Sequence, residues 1–314
     1  MQGEIKVVAG SSHPELAKAV CARLGLPVAR SRVVRFANEN LMVQIEENVR
    51  ECDVFVIQTS RPPVSEGILE LLITVDALRH ASAARVTAVV PYFPYARSDK
   101  KDRPRISITA RLMADLLETA GAGRVLTLDL HAPQVQGFFR MPADNLQASA
   151  LLCRHLEASR DLSNAVLVAG DVGESKDVGR YANTLRLPIA IVDKRRDGDD
   201  DHAVAVNLIG DVEGKDAILV DDEVSTGGTL IEAARFCLER GARRVDAVVV
   251  HPVLASDAVD RIEASPIETL ITTDSIPIAP EKRADWIDVV PVAPLLADAI
   301  RAIHDGTSVS ALFG

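Results

Sequence analysis

Aromatic residues are scarce in this 314-residue chain, at 4% with a single tryptophan. That scarcity excludes a core of stacked rings and leaves Ala, Val, Leu and Ile to fill the interior. Aliphatic cores of this kind suit parallel strands buried on both faces by helices. The chain has only four cysteines, Cys21, Cys52, Cys153 and Cys237, and no two form a CxxC pair. Their spacing excludes a clustered-thiol metal site and reads as small buried hydrophobes in a reducing compartment. Long apolar runs are missing: no stretch approaches the ~18 residues needed to span a bilayer. The start, MQGEIKVVAG, lacks a basic region followed by an apolar run. No secretory leader is therefore expected, and a cytoplasmic location is. Positive charge is also short. A formal net charge of −10 argues against nucleic acid or a membrane surface as partner. Phosphate ligands would have to be met by local clusters of basic residues.

What is present is the profile of a soluble globular protein, 47% hydrophobic and 25% charged. The length predicts about two domains of ~150 residues each. Short apolar runs recur at 5–10, 54–58, 85–92 and 124–130, then at 165–171, 189–195, 217–222, 245–252 and 268–274. Amphipathic helical patterns lie between them at 14–24, 65–80, 107–120, 146–158, 228–240 and 254–264. This alternation predicts an α/β fold of mainly parallel sheets flanked by helices. Segments 116–133 and 238–253 share one plan: a helix stopped at Gly, then Ala, a basic residue, a strand and a histidine. They hint at duplication. Domain boundaries are expected near 141–147 and 290, dividing the chain into 1–145, 146–290 and a final helix and tail, 291–314, that packs back on the first domain. The acidic run Asp197–Asp201 reads as a solvated turn or as an active-site loop.

The strongest chemical signal is AILVDDEVSTGGTL, 217–230. An apolar strand is predicted to end in Asp221-Asp222, turn, and enter a helix through Ser225-Thr226-Gly227-Gly228-Thr229. Small residues at a helix start leave backbone N–H groups free for an anion, and the helix dipole favours negative charge there. Paired acids at the strand end can accept hydrogen bonds from sugar hydroxyls or help hold a metal. Together these residues describe a pocket for a phosphorylated pentose.

The stretch resembles the phosphoribosyl pyrophosphate-binding motif of type I phosphoribosyltransferases. LDLHAPQVQGFF at 128–139, PYARSDKKDRPR at 94–105, IVDKRR at 191–196 and SVSALF at 308–313 are similar, in order and spacing, to ribose-phosphate diphosphokinases. That resemblance implies two phosphoribosyltransferase-like domains, ATP and ribose 5-phosphate as substrates, Mg²⁺ as cofactor, and a hexamer built from dimers. The ATP side would be the first domain. Phe36, Asn38, Glu39 and Asn40 would contact adenine, and Arg97, Ser98 and Asp99 would form a second ATP segment. His131 would bind ATP and magnesium. Without the resemblance, Phe36 reads as a core residue and His131 as a structural histidine at a strand exit. Residues 97–107 would form a mobile basic loop that closes over the phosphates. In the second domain, Asp221, Asp222 and Ser225 to Thr229 would hold ribose 5-phosphate, and Asp171 would be a second metal position. Lys194 and Arg196, with Arg103, would be the catalytic cations.

Several positions depart from the family pattern. Two carboxylates of the adenine segment are amides, Asn38 and Asn40, and Ser225 replaces a third acid. Glu174 and Asp177 add negative charge beside Lys176 in the pyrophosphate loop, which opposes an anionic ligand unless offset. A noncatalytic homologue and a phosphoribosyltransferase are therefore the alternatives. The tail, with Arg50 and Ser82, is expected to serve regulation by phosphate and ADP.

Overall fold

A computed structural model describes residues 3–171, 173, 175–196 and 203–313. The chain divides into two compact units: 1–147 with 275–277 and 291–314, and 148–274 with 278–290.

The first unit holds β1 (Ile5–Ala9), β2 (Val28–Ala29), β5 (Asp53–Ile57), β6 (Arg85–Val90), β7 (Arg124–Leu128) and β8 (Ala143–Leu146) in one parallel sheet, ordered β2-β1-β5-β6-β7-β8. All five residues of β5 are buried, so its side chains fill both faces. Val54 and Val56 join a core with Leu71, Val75 and Leu78 of α2 (Val64–His80) and with Met113 and Leu117 of α3 (Thr109–Ala120). Phe55 and Ile57 alternate to the other face and are fully buried there. Helix α1 (Pro14–Leu24) packs against α8 (Ala293–Asp305). A hairpin of β3 (Ser31–Arg35) and β4 (Leu41–Ile45) forms a separate antiparallel sheet against α2.

The second unit contains β9 (Ala165–Ala169), β10 (Ile189–Arg196), β11 (Ala203–Ile209), β12 (Asp216–Val224), β13 (Arg244–Pro252), β14 (Ile267–Thr273) and β15 (Ile287–Val290), ordered β11-β10-β9-β12-β13-β14-β15. Among the described strands of this sheet only the β10–β11 pair is antiparallel. Helices α4 (Ser149–Ser159), α5 (Ser175–Leu185), α6 (Gly228–Glu239) and α7 (Ala258–Glu263) connect them. All four cysteines are free and buried, as their spacing suggested.

The two segments of similar plan fold alike. Helix α3 stops at Gly121 (φ 111°) before β7, and α6 is followed by Gly241 (φ 88°) before β13, both left-handed turns that favour glycine. A second repeat was not read in advance. Asp53 lies opposite Arg85 at the start of β5 and β6, and Asp216 lies opposite Arg244 at the start of β12 and β13. Each unit thus opens its central strand pair with a cross-strand Asp–Arg pair.

Elements that sequence periodicity passed over are short or polar. Strand β8 occupies part of 141–147, read as a helix-poor boundary; its ADNL sequence is polar because it is an edge strand with one fully buried residue. Among its described side chains, helix α5 buries only Val178, Tyr181 and Ala182. The helix expected over 254–264 begins only at Ala258, because Leu254 (φ 44°) and Ser256 (φ 53°) are left-handed. The acidic run Asp197–Asp201 lies outside the described residues.

The buried Asp216 of the second unit carries a pH prediction. A hydrogen bond from the Arg243 guanidinium, 2.7 Å from Asp216, holds that carboxyl below the usual carboxylate range, with Arg244 adding to it. A depressed carboxylate contributes stability above its unfolded value, about 3.9. That contribution disappears as pH falls through the lower folded value. Asp216→Asn is expected to weaken resistance to urea at pH 7 and to flatten the decline in stability between pH 4 and 3. Equal losses at pH 7 and pH 3 would contradict the assignment.

Candidate active site

In parallel sheets ligands gather where the strands end at their carboxyl side. In the first unit, β7 leaves the sheet through Asp129 (φ 37°), Leu130 and His131. Leu130 and Ala132 are 6% and 5% exposed, while His131 between them is exposed. The exit of β6 leads to Tyr95 (φ 57°), exposed Arg97, and half-buried Ser98 and Asp99. Ser98 closes the neck of the loop that follows. Its carbonyl accepts from the Ala110 N–H (3.2 Å), and its hydroxyl accepts from the Thr109 N–H (3.4 Å) and donates to the Ser107 carbonyl (3.4 Å). Residues 100–105, Arg103 among them, are exposed and without regular structure.

The two segments expected to bind nucleotide meet through a residue that motif matching did not single out. Gln134, just beyond His131, donates from Nε2 to Asp99 Oδ2 at 2.8 Å. Phe36 is 48% exposed at the tip of the β3–β4 hairpin, which excludes its reading as a core residue. Bonds from Phe36 N–H to Asn40 O (2.9 Å) and from Glu39 N–H to Phe36 O (2.9 Å) preform that tip, with Glu39 left-handed at φ 67°. The Asn38 side chain accepts from the Asn40 N–H at 3.2 Å.

In the second unit the acids fall inside β12 rather than at its end, because the strand runs on to Val224. Asp221 pairs with Val249, and Glu223 with His251. Since Val220 pairs with Ala169, Asp221 and Asp222 lie at the same level as the exit of β9, where Asp171 accepts from the Gly173 N–H at 2.6 Å. Asp221 Oδ1 accepts from the Asp222 N–H at 2.8 Å, which turns that side chain back on its own strand.

The turn after β12 is built for close backbone approach. Gly227 adopts φ +76°, and a Cβ there would meet Ile262 at 3.0 Å, so glycine is required on two counts. Helix α6 then starts with no side-chain cap and no acidic residue in its first turn, which leaves its positive end to an anion. The Leu254 and Ala255 N–H groups donate to the carbonyls of Val224 and Ser225, each at 2.9 Å. This brace explains the left-handed turns that displace α7.

The pyrophosphate loop is less hostile to anions than its composition suggests. Asp177 is paired with Arg180 at 2.8 Å, which offsets its charge. Glu174 lies outside the described residues, as do the side chains of Lys194 and Arg196. The backbone of β10 continues through both, with a register shift at Asp193/Lys194. Arg50 and Ser82 lie by the amino ends of β5 and β6, where the Ser82 carbonyl accepts from the Glu51 N–H at 2.9 Å. That is the end of the sheet opposite His131.

Two family models match the chain, the N-terminal domain of ribose phosphate pyrophosphokinase over residues 5–121 and the phosphoribosyl synthetase-associated domain over residues 202–314. A ribose-phosphate pyrophosphokinase of Deinococcus radiodurans is 46% identical over 311 residues, covering 98% of this chain and 97% of its own. One from Bacillus subtilis is 45% identical over 309 residues, with the same coverage of 98% and 97%. The crystal structure of phosphoribosylpyrophosphate synthetase from Mycobacterium smegmatis superposes with a TM-score of 0.91 at 39% identity, over 96% of this chain and 99% of that one. With full-length identity at this level and the same fold throughout, the chain belongs to the ribose-phosphate pyrophosphokinase family.

Proposed function

We propose that this enzyme moves the diphosphoryl group of Mg-ATP onto ribose 5-phosphate, with ATP held by the first unit and the sugar phosphate by the second. The braced turn at Gly227, opening an uncapped helix beside Asp221 and Asp222, carries this reading. Backbone N–H groups from Ser225 to Thr229 would hold the 5-phosphate, while Asp221 and Asp222 accept hydrogen bonds from the ribose hydroxyls. Phe36 would stack on adenine, with Asn38, Glu39 and Asn40 at its polar edge. Arg97, Asp99 and His131 would meet the triphosphate, and Ser98 would set the position of the loop bearing Arg103.

The anomeric hydroxyl oxygen attacks the β-phosphorus, and the bond from that phosphorus to the bridging oxygen breaks. The bridging oxygen leaves on AMP, and the hydroxyl proton is lost to solvent. Charge grows on the nonbridging oxygens and the leaving group, where Lys194, Arg196 and Arg103 would stabilise it without a covalent intermediate.

The donor set also fits Mg²⁺. No group of three or more His, Cys, Asp or Glu side chains is gathered to hold a metal among the described residues. Mg²⁺ needs no such cage, since it keeps several waters and takes most other ligands from phosphates. His131 would be one protein contact to a metal in the first unit, and Asp171 would be a second metal-associated position in the second unit. When bound, the ion neutralises phosphate charge and polarises the β-phosphorus.

The same reading makes the protein cytoplasmic and a homo-oligomer, a hexamer assembled from dimers. No described helix is long and apolar enough to cross a membrane. Incubation with Mg-ATP and ribose 5-phosphate is expected to yield AMP and phosphoribosyl pyrophosphate in equal amounts. No AMP above background would overturn the proposal. Nucleotide binding without turnover would identify a noncatalytic homologue, and pyrophosphate release dependent on a nucleobase would identify a transferase.

A further inference from the structure

Strand β7 delivers His131 to the nucleotide site by an unusual exit. Asp129 is left-handed at φ 37°, a conformation uncommon for any residue but glycine. Something must hold it there. The ladder with β8 accounts for one bond: Thr127 pairs with Asn145, Leu128 with Leu146, and the Asp129 N–H reaches the Leu146 carbonyl at 2.9 Å.

Strand β8 ends at Leu146, and the N–H that follows on the exit from β7 is not met by a further bond of the β8 ladder. That N–H belongs to Leu130, which is 6% exposed, and a buried N–H left unmatched is costly. The Asn145 side chain supplies the acceptor, its Oδ1 lying 3.0 Å from the Leu130 nitrogen. One residue further on, the chain presents His131. Leu130 and Ala132 are buried on either side of it, so a change in the turn shifts the imidazole rather than being absorbed by its neighbours.

We propose that Asn145 is a positioning residue for His131. It sets the height and direction of the imidazole against the ATP phosphates by fixing the Asp129–Leu130 turn, without touching nucleotide itself. The proposal rests on His131 acting at the nucleotide site. A 1 Å misplacement of a catalytic group can cost about 10²-fold, so a single hydrogen bond to the backbone suffices for a large effect.

The test is a double-mutant cycle with His131. Asn145→Ala is expected to lower kcat/KM for ATP about 10- to 100-fold and to leave KM for ribose 5-phosphate within about twofold. His131→Ala and the double variant are expected to agree within about twofold, since the position of an absent imidazole has no consequence. If Asn145→Ala melts too low to assay, Asn145→Ser takes its place. Its hydroxyl is too short to reach the Leu130 N–H but keeps a polar group at the site. Normal ATP kinetics in a folded Asn145 variant, or a loss that multiplies on the His131→Ala background, would overturn the proposal. Full activity in His131→Ala alone would instead overturn the role assigned to His131, so the two failures are distinguishable.

Discussion

Lys194→Ala is expected to lower kcat by about 10³-fold, the cost of withdrawing one fixed charge from a phosphoryl-transfer transition state. The loss falls on kcat rather than KM because the charge on the bridging and nonbridging oxygens grows beyond that of bound ATP as the bond to AMP breaks. The fold is expected to survive. Strand β10 is anchored to β9 through Ile189 to Ile191, ahead of Lys194, and to β11 by backbone pairing on its other side. Neither ladder uses the lysine side chain. Single-turnover kinetics with Mg-ATP and ribose 5-phosphate would separate the chemical step from product release. A near-normal rate in a folded variant would remove Lys194 from the catalytic set. Lys194→Arg should recover only part of the loss, since the planar guanidinium places its charge differently from a compact ammonium.

Removing the Asp53 carboxylate should bring the largest loss of stability, about 3–5 kcal/mol, the range for breaking a buried ion pair from one side. Asp53 is fully buried at the start of β5. It accepts two hydrogen bonds from Arg85, at 2.8 and 2.6 Å, and lies 2.9 Å from His304 Nδ1. Arg85 reaches on to the Ile303 carbonyl at 3.2 Å. One carboxylate therefore ties two central strands to the last helix. Asp53→Ala leaves the guanidinium with a single carbonyl partner in a site that is nearly dry. A fall of about 10 °C or more in melting temperature is expected for a unit of this size, and a smaller one for Asp53→Asn, which keeps one acceptor. A shift below about 2 °C would show that water or a neighbouring group replaces the carboxylate.

These two predictions draw on different information. The role expected for Lys194 comes from the resemblance of IVDKRR to the family, a match carried by a few neighbouring residues. The Asp53 trio was not legible in this way. Residues 53, 85 and 304 are distant in the chain, and no short-range signal relates an aspartate before one strand to an arginine before the next and a histidine at the far terminus. The same division runs through the active site. The motif at 217–230 marked the turn proposed to hold the sugar phosphate, but its brace comes from the backbone of Leu254 and Ala255, where no side chain announces the role. Phe36 illustrates the limit from the other side: hydrophobicity alone places it inside, whereas a hairpin holds it out at 48% exposure.

The amino-acid sequence alone determined the alternation of strands and helices, the parallel character of both large sheets and the motifs that resemble the family's. All of these depend on spacings of a few residues, which periodicity and helix-end chemistry report directly. Tertiary structure decided the rest: the edge strands too polar to show a pattern, the left-handed Asp129 that precedes His131, and the link from Gln134 to Asp99. Each depends on where a backbone leaves the sheet and which side chain happens to stand beside it. A hydrogen bond or ion pair forms only when its partners come within about 3 Å, and apart from the one-turn Asp177–Arg180 pair that proximity is created by the fold.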